Sequence, residues 1–99
     1  MGYHVKNKAK KDDNHNAVVD VFRRCGYNVI ETYAIDCGFD FFAWAAGKVF
    51  VIEVKDGEKP PSQRKLTDNE EGAKRLYDKY YHVLKSVGEA IELVQSKNN

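Results

Sequence analysis

Gly38–Gly57 reads GFDFFAWAAGKVFVIEVKDG, two runs rich in aromatic and β-branched residues, Asp40–Ala45 and Lys48–Lys55, separated by Ala46 and Gly47. Such runs around a short glycine-containing break predict a β-hairpin. With the turn centred between Ala46 and Gly47, Ala45 faces Lys48 and Asp40 falls opposite Glu53. A four-residue loop from Ala45 to Lys48 keeps that pairing. Alanine is ill suited to the positive φ of a type I′ turn, so the longer loop is the expectation. Side chains alternate along a strand, so Asp40, Phe42 and Trp44 share a face with Val49, Val51, Glu53 and Lys55. Phe41, Ala43, Ala45, Phe50, Ile52 and Val54 share the other. Both faces are apolar, which predicts a sheet covered on both sides.

Two carboxylates directly opposite each other on such a sheet repel. At ~5 Å and an effective dielectric of about 20 the cost is roughly 3 kcal/mol, a large part of a small domain's stability. Spacing alone leaves two resolutions open. Either Asp40 lies in water at a strand start and Glu53 with Lys55 forms an edge pair worth little, or a cation lies between the acids. Mg²⁺ characteristically takes one or two carboxylates plus waters and phosphate oxygens. Such an ion acts as a Lewis acid on a phosphoryl group and acidifies a bound water, while Lys55 orients that water or stabilises developing negative charge. In outline that is a site for phosphodiester hydrolysis.

Outward from the hairpin the chain reads as one α/β domain. A helix from Asn14 or His15 to about Cys25 buries Val18, Val19, Phe22 and Cys25 and stops at Gly26. Tyr27 to Tyr33 reads as a strand. The loop KDGEKPPSQRK, Lys55–Lys65, contains Pro60 and Pro61, which forbid regular structure. Thr67 with Glu70 is a capping-box signature opening a helix whose core face is Ala73, Leu76, Tyr77 and Tyr80. His82 to Val87 reads as a short strand. Ser86 with Glu89 is a second capping box, opening a helix that buries Ala90, Ile91 and Val94 ahead of the polar tail QSKNN. The order is α-β-β-β-α-β-α.

Ninety-nine residues suit a single core. No apolar run approaches the roughly 18 residues of a membrane span, and the start MGYHVKNKAKK lacks the apolar stretch of a signal peptide. A soluble chain with no membrane partner is expected, in the cytoplasm of a bacterial or phage-infected cell. Cys25 and Cys37 have neither the number nor the spacing of a disulfide framework or zinc site, and buried thiols are expected. The net charge of +1 hides a pattern: the first eleven residues carry four lysines and no acid, while residues 12–54 carry seven acids against three bases. A basic arm over residues 1–12 and a basic loop flanking an acidic middle suit a nucleic acid held over a metal. A solvated tail has the same composition, so the pattern alone does not decide. Trp44 and the phenylalanines read as core rather than base-stacking platforms, and His4 and His82 have no partner pattern.

The G-F-D of Gly38–Asp40, thirteen residues before the E-V-K of Glu53–Lys55, resembles the core motif of the PD-(D/E)xK nuclease superfamily. From Asp12 to Val94, including the loop KDGEKPPSQRKLT, the chain resembles the small phage and bacterial VRR-Nuc proteins. That resemblance implies a restriction-endonuclease-like core with a mixed sheet flanked by helices. It implies Asp40, Glu53 and the backbone carbonyl of Val54 as ligands of Mg²⁺ or Mn²⁺, and Lys55 as the catalytic lysine. Three positions depart from the family pattern. Phe39 stands at the motif's proline, His15 at a first-helix glutamate, and Glu70 at a glutamine of the helix after the loop. His15 is a candidate to position a water or phosphate, with an exposed helix-start histidine as the alternative; Glu70 is read as a cap. Lys59, Gln63, Arg64 and Lys65 are candidate contacts to the DNA backbone. The implied activity is metal-dependent endonucleolytic cleavage of duplex or branched DNA, including four-way junctions, by a homodimer without an organic cofactor. The alternative is a nucleic-acid-binding module that keeps the fold without the reaction.

Overall fold

The computed structural model describes residues 11–96. Its elements are α1 (His15–Arg24), β1 (Asn28–Glu31), β2 (Phe41–Ala45), β3 (Lys48–Val54), α2 (Asp68–Tyr77), β4 (Tyr81–Leu84) and α3 (Val87–Gln95), with 3₁₀ turns at Pro61–Gln63 and Asp78–Tyr80. This is a mixed α/β fold in the expected order of elements. The four strands lie in the order β1-β2-β3-β4, the first three antiparallel and β4 parallel to β3. No helix among the described residues is long and apolar enough to cross a membrane.

Ala45 pairs with Lys48 and Phe41 with Ile52, the register that the alternation of side chains demands. The loop is shorter than expected: Ala46 and Gly47 alone form the turn, and only Gly47 takes a positive φ, 78°. A type II turn needs positive φ at its second central residue only, so alanine at the first carries no penalty.

The two faces of the sheet separate as the alternation requires. Phe41, Ala43, Phe50, Ile52 and Val54 pack against Val18, Val19 and Phe22 of α1 and Ala90 of α3 in the larger core. Val51 and Tyr81 pack against Ala73 of α2 on the other face, with Phe39, Phe42 and Tyr77 at its margin. The second cover is partial. Ile30 is 54% and Val49 39% exposed beside a half-buried Trp44 that stacks on Phe42.

Several helix-face expectations need correction. Leu76, within α2, is 74% exposed, and Tyr80 is 45% exposed beyond the end of α2 at Tyr77, where Asp78 turns the chain out of the helix at φ 46°. Ile91 is 41% exposed, and α3 instead sets Val87, Leu93 and Val94 against the core beside Ala90. Cys25 lies beyond the last turn of α1 and is exposed, and Cys37 is half-buried. The strands β1 and β4 are shorter than their apolar runs.

Gly38 and Tyr81 dock α2 and fix the approach to β2. Gly38 has φ 94°, and a Cβ there would meet the Asn69 carbonyl oxygen at 2.6 Å and the Ala73 Cβ at 2.7 Å. The Tyr81 hydroxyl donates to the Gly38 carbonyl at 2.9 Å. The chain thus enters β2 with Asp40 beside the end of β3, where the Val54 N–H donates to Asp40 Oδ2 at 2.8 Å.

Candidate functional site

At the C-terminal end of β3 a cleft of about 230 Å³ is lined by Lys11, Asp12, Asp40, Glu53, Val54, Lys55, Lys59 and Glu70. The strand alternation puts Glu53 and Lys55 on the α2 face, and the hairpin register brings Asp40 beside them. Glu53 is 4% exposed. Lys55 Nζ lies 3.5 Å from Glu53 Oε2 and 2.9 Å from Glu70 Oε1.

Glu70 does two things at once. It completes the capping box of α2, accepting the Thr67 N–H at 2.9 Å while its own N–H donates to the Thr67 hydroxyl at 3.2 Å. The same Oε1 accepts from Lys55. A local motif shows the cap. The second contact crosses from β3 to α2 and has no local signature.

Burial pushes the Glu53 carboxyl up to about 10, reinforced by the charges of Asp40 and Glu70 and opposed by Lys55. Burial and the neighbouring carboxylates thus favour the neutral form of Glu53, with Glu70 as its hydrogen-bond partner. Burial disfavours the Lys55 ammonium, but the hydrogen bond to Glu70 and the nearby Glu53 and Glu70 charges outweigh it and raise Lys55 above the ordinary lysine value. Burial likewise opposes a charged Glu70, yet hydrogen bonds from Lys55 and the Thr67 N–H hold it below the usual carboxylate range. Tyr81 is pushed up by burial and then by the charges of Glu53, Glu70 and Asp40, so its hydroxyl remains a donor.

The structure brings Asp40, Glu53, Val54, Lys55 and Lys59 into one cleft and leaves His15 out of it. His15 is 1% exposed, on the α1 stripe it shares with Val18, Val19 and Phe22. Its Nε2 meets Glu31 Oε1 at 2.9 Å, and its ring packs edge-on against Tyr33 and Phe41. The i, i+3, i+4, i+7 spacing of residues 15, 18, 19 and 22 is legible in the sequence and marks His15 as inward-facing.

Asp12, ahead of α1, lines the cleft instead and pairs with Lys59 at 3.5 Å. The side chain of Asn14 does not cap α1. Its Nδ2 donates to the carbonyl oxygens of Lys55 at 3.2 Å and Lys85 at 3.1 Å, fastening the ends of β3 and β4 to the helix. Gln63 and Lys65 are exposed, and Arg64 Nε donates to the Lys59 carbonyl at 2.9 Å; none of the three lines the cleft. The basic arm lies mostly outside the described residues, which include only its last two, Lys11 and Asp12.

Among the described residues no three or more His, Cys, Asp and Glu side chains form a metal-ligand group. The donor chemistry fits a smaller set. Two hard carboxylates and a backbone carbonyl at a polar cleft suit a divalent ion that keeps several waters. No family model, curated protein or solved structure matches this chain.

Proposed function

We propose that the chain is a metal-dependent DNA endonuclease of the PD-(D/E)xK type, similar to the VRR-Nuc proteins, with a restriction-endonuclease-like core. The observation that carries this reading is Glu53, buried beside Asp40 and Glu70 with Lys55 Nζ 3.5 Å from its carboxyl. Asp40, Glu53 and the Val54 carbonyl would hold Mg²⁺ or Mn²⁺, which supplies Lewis-acid neutralisation of a phosphoryl group.

The chain's own residues do the rest. In phosphodiester hydrolysis a water oxygen attacks phosphorus and one P–O ester bond breaks, leaving a phosphomonoester and a hydroxyl. Despite its burial, Lys55 is kept cationic by its hydrogen bond to Glu70, so it acts as a fixed positive charge that orients the water or meets the charge building on the phosphoryl oxygens. Glu70 holds that ammonium in place from α2. Lys11 and Lys59 at the cleft meet flanking phosphates, and Gln63, Arg64 and Lys65 on the adjoining loop meet the backbone beyond. This reading gives His15 no part, because it is buried among the core residues of α1. Branched DNA is the preferred substrate in this reading, and a homodimer sets two such clefts at a fixed separation.

The engagement of Lys55 by Glu70 at 2.9 Å also favours a second reading, a nucleic-acid-binding module whose lysine is tied up. One experiment separates them. Purified protein is incubated with supercoiled plasmid, a four-way junction and linear duplex, with Mg²⁺, Mn²⁺ or chelator. The nuclease nicks plasmid or junction only with metal and loses the activity in Lys55→Ala. The binding module retards DNA in a salt-dependent way and cuts nothing.

A further inference from the structure

The end of the sheet remote from the acidic cleft carries a second concavity, of about 340 Å³ and the reverse chemistry. Beside the Gly47 turn it is lined by Lys48, Val49 and Phe50 at the start of β3 and by Lys79, Tyr80 and His82 around the start of β4. No carboxylate lines it, and among the described residues neither Lys48 nor Lys79 forms an ion pair. Lys79 Nζ instead lies 5.3 Å from the centre of the Tyr80 ring. That ring is 45% exposed. His82 forms the inner wall, packed edge-on against Phe50 at 5.6 Å, and burial holds its imidazole below the ordinary value.

The backbone that presents Lys79 and Tyr80 is strained. Asp78, at φ 46° and ψ −112°, is the one non-glycine residue with positive φ among those described. Side chains disfavour that region, and such outliers cluster at ligand sites. Here the outlier ends α2 and starts the 3₁₀ turn that carries Lys79 and Tyr80.

We propose that this cleft binds a nucleotide unit, with the Lys48 and Lys79 ammoniums taking the phosphate and the exposed Tyr80 ring stacking on the base. Ammoniums without a carboxylate partner beside a partly exposed aromatic ring are what proteins use to hold single-stranded nucleic acid: the charges track the backbone and the ring accepts any base. The unit belongs either to a free nucleotide or to a strand. Five steps along β3, about 17 Å at the strand rise, separate Lys48 from Glu53, so the cleft stands apart from the acidic one and binds without hydrolysis.

The test is an NMR titration of the full chain in chelator-containing buffer with thymidine 5′-monophosphate, an oligothymidylate of about eight residues, and inorganic phosphate. Saturable shifts at Lys48, Lys79, Tyr80 and His82 with either nucleotide ligand are expected. Tyr80→Ala weakens binding roughly fivefold or more, and Lys79→Glu lowers the salt slope of oligonucleotide binding by about 1. Both residues are exposed, so these variants keep the fold, seen as wild-type amide shifts away from the Asp78–Tyr80 turn. Binding of both nucleotide ligands identifies a free nucleotide as sufficient, and binding of the oligonucleotide alone identifies a strand. The proposal is overturned by absence of these shifts at millimolar ligand, by shifts confined to other surfaces, or by inorganic phosphate matching the nucleotides with Tyr80→Ala indifferent. Because no metal is present, its failure leaves the nuclease reading untouched, and loss of nicking leaves this cleft untouched.

Discussion

The Glu53 carboxyl is 4% exposed and, chiefly through burial, is pushed up to about 10. A group whose folded value is raised contributes stability that is complete below its unfolded value of roughly 4.3 and is lost as pH rises toward the folded one. The cation-free protein therefore weakens from about pH 4.5 upward on account of this residue. Glu53→Gln, a neutral isostere, escapes the loss and is expected to gain stability over wild type between pH 4.5 and 7, by up to roughly 3 kcal/mol. Urea denaturation at the two pH values with chelator present reads this directly; a constant difference would mean that Glu53 is ionised throughout. Glu70 separates its two roles by substitution. Glu70→Gln keeps a side chain able to complete the capping box but removes the charge from Lys55, a pair 12% and 16% exposed, and should cost roughly 1–2 kcal/mol. Glu70→Ala loses the cap as well and should cost about 1 kcal/mol more, again by denaturation. The Lys55–Glu70 contact was not legible beforehand. Capping is a three-residue pattern, whereas that contact depends on how α2 docks on the sheet.

At the scale of elements, the hairpin was the most legible part. Period-two alternation admits one register that keeps both apolar sets buried, and the observed pairing of Phe41 with Ile52 obeys it. Helix starts were legible for a similar reason: Thr67 and Ser86 both accept the N–H of the glutamate three residues on. In the second case Glu89 reaches the N–H of Lys85 rather than that of Ser86, so the box is only half closed. Helix faces were less legible, because periodicity shows that a stripe exists without showing how much of it the sheet covers. Leu76 and Ile91 fit their stripes and remain exposed. His15 fitted its stripe too, and its burial overturns the alternative of an exposed histidine at the helix start. Gly38 is the element-scale test of how α2 is seated. Gly38→Ala adds a Cβ 2.6 Å from the Asn69 carbonyl at φ 94°, and the expected cost is roughly 2–4 kcal/mol. Thermal unfolding measures it; an unchanged midpoint would mean that α2 does not rest on this glycine.

Across the whole molecule, a net charge of +1 conceals an acidic cleft at one end of β3 and a basic one at the other. In the proposed reading a divalent cation at this cleft would compete with the proton that burial favours on Glu53, so metal binding at neutral pH should release up to one proton and grow tighter as pH rises. Light scattering should find twice the 11.3 kDa chain mass if the protein acts as a dimer, and the chain mass alone would confine paired cleavage to successive encounters. The central claim is that Asp40 and Glu53 converge on one cation beside Lys55, and calorimetric titration with Mn²⁺ at pH 7 in buffers of different ionisation enthalpy tests it most directly. The expected result is one ion per chain with about one proton released, abolished by Asp40→Asn. Absence of binding at millimolar Mn²⁺, or equal binding by Asp40→Asn, would contradict it.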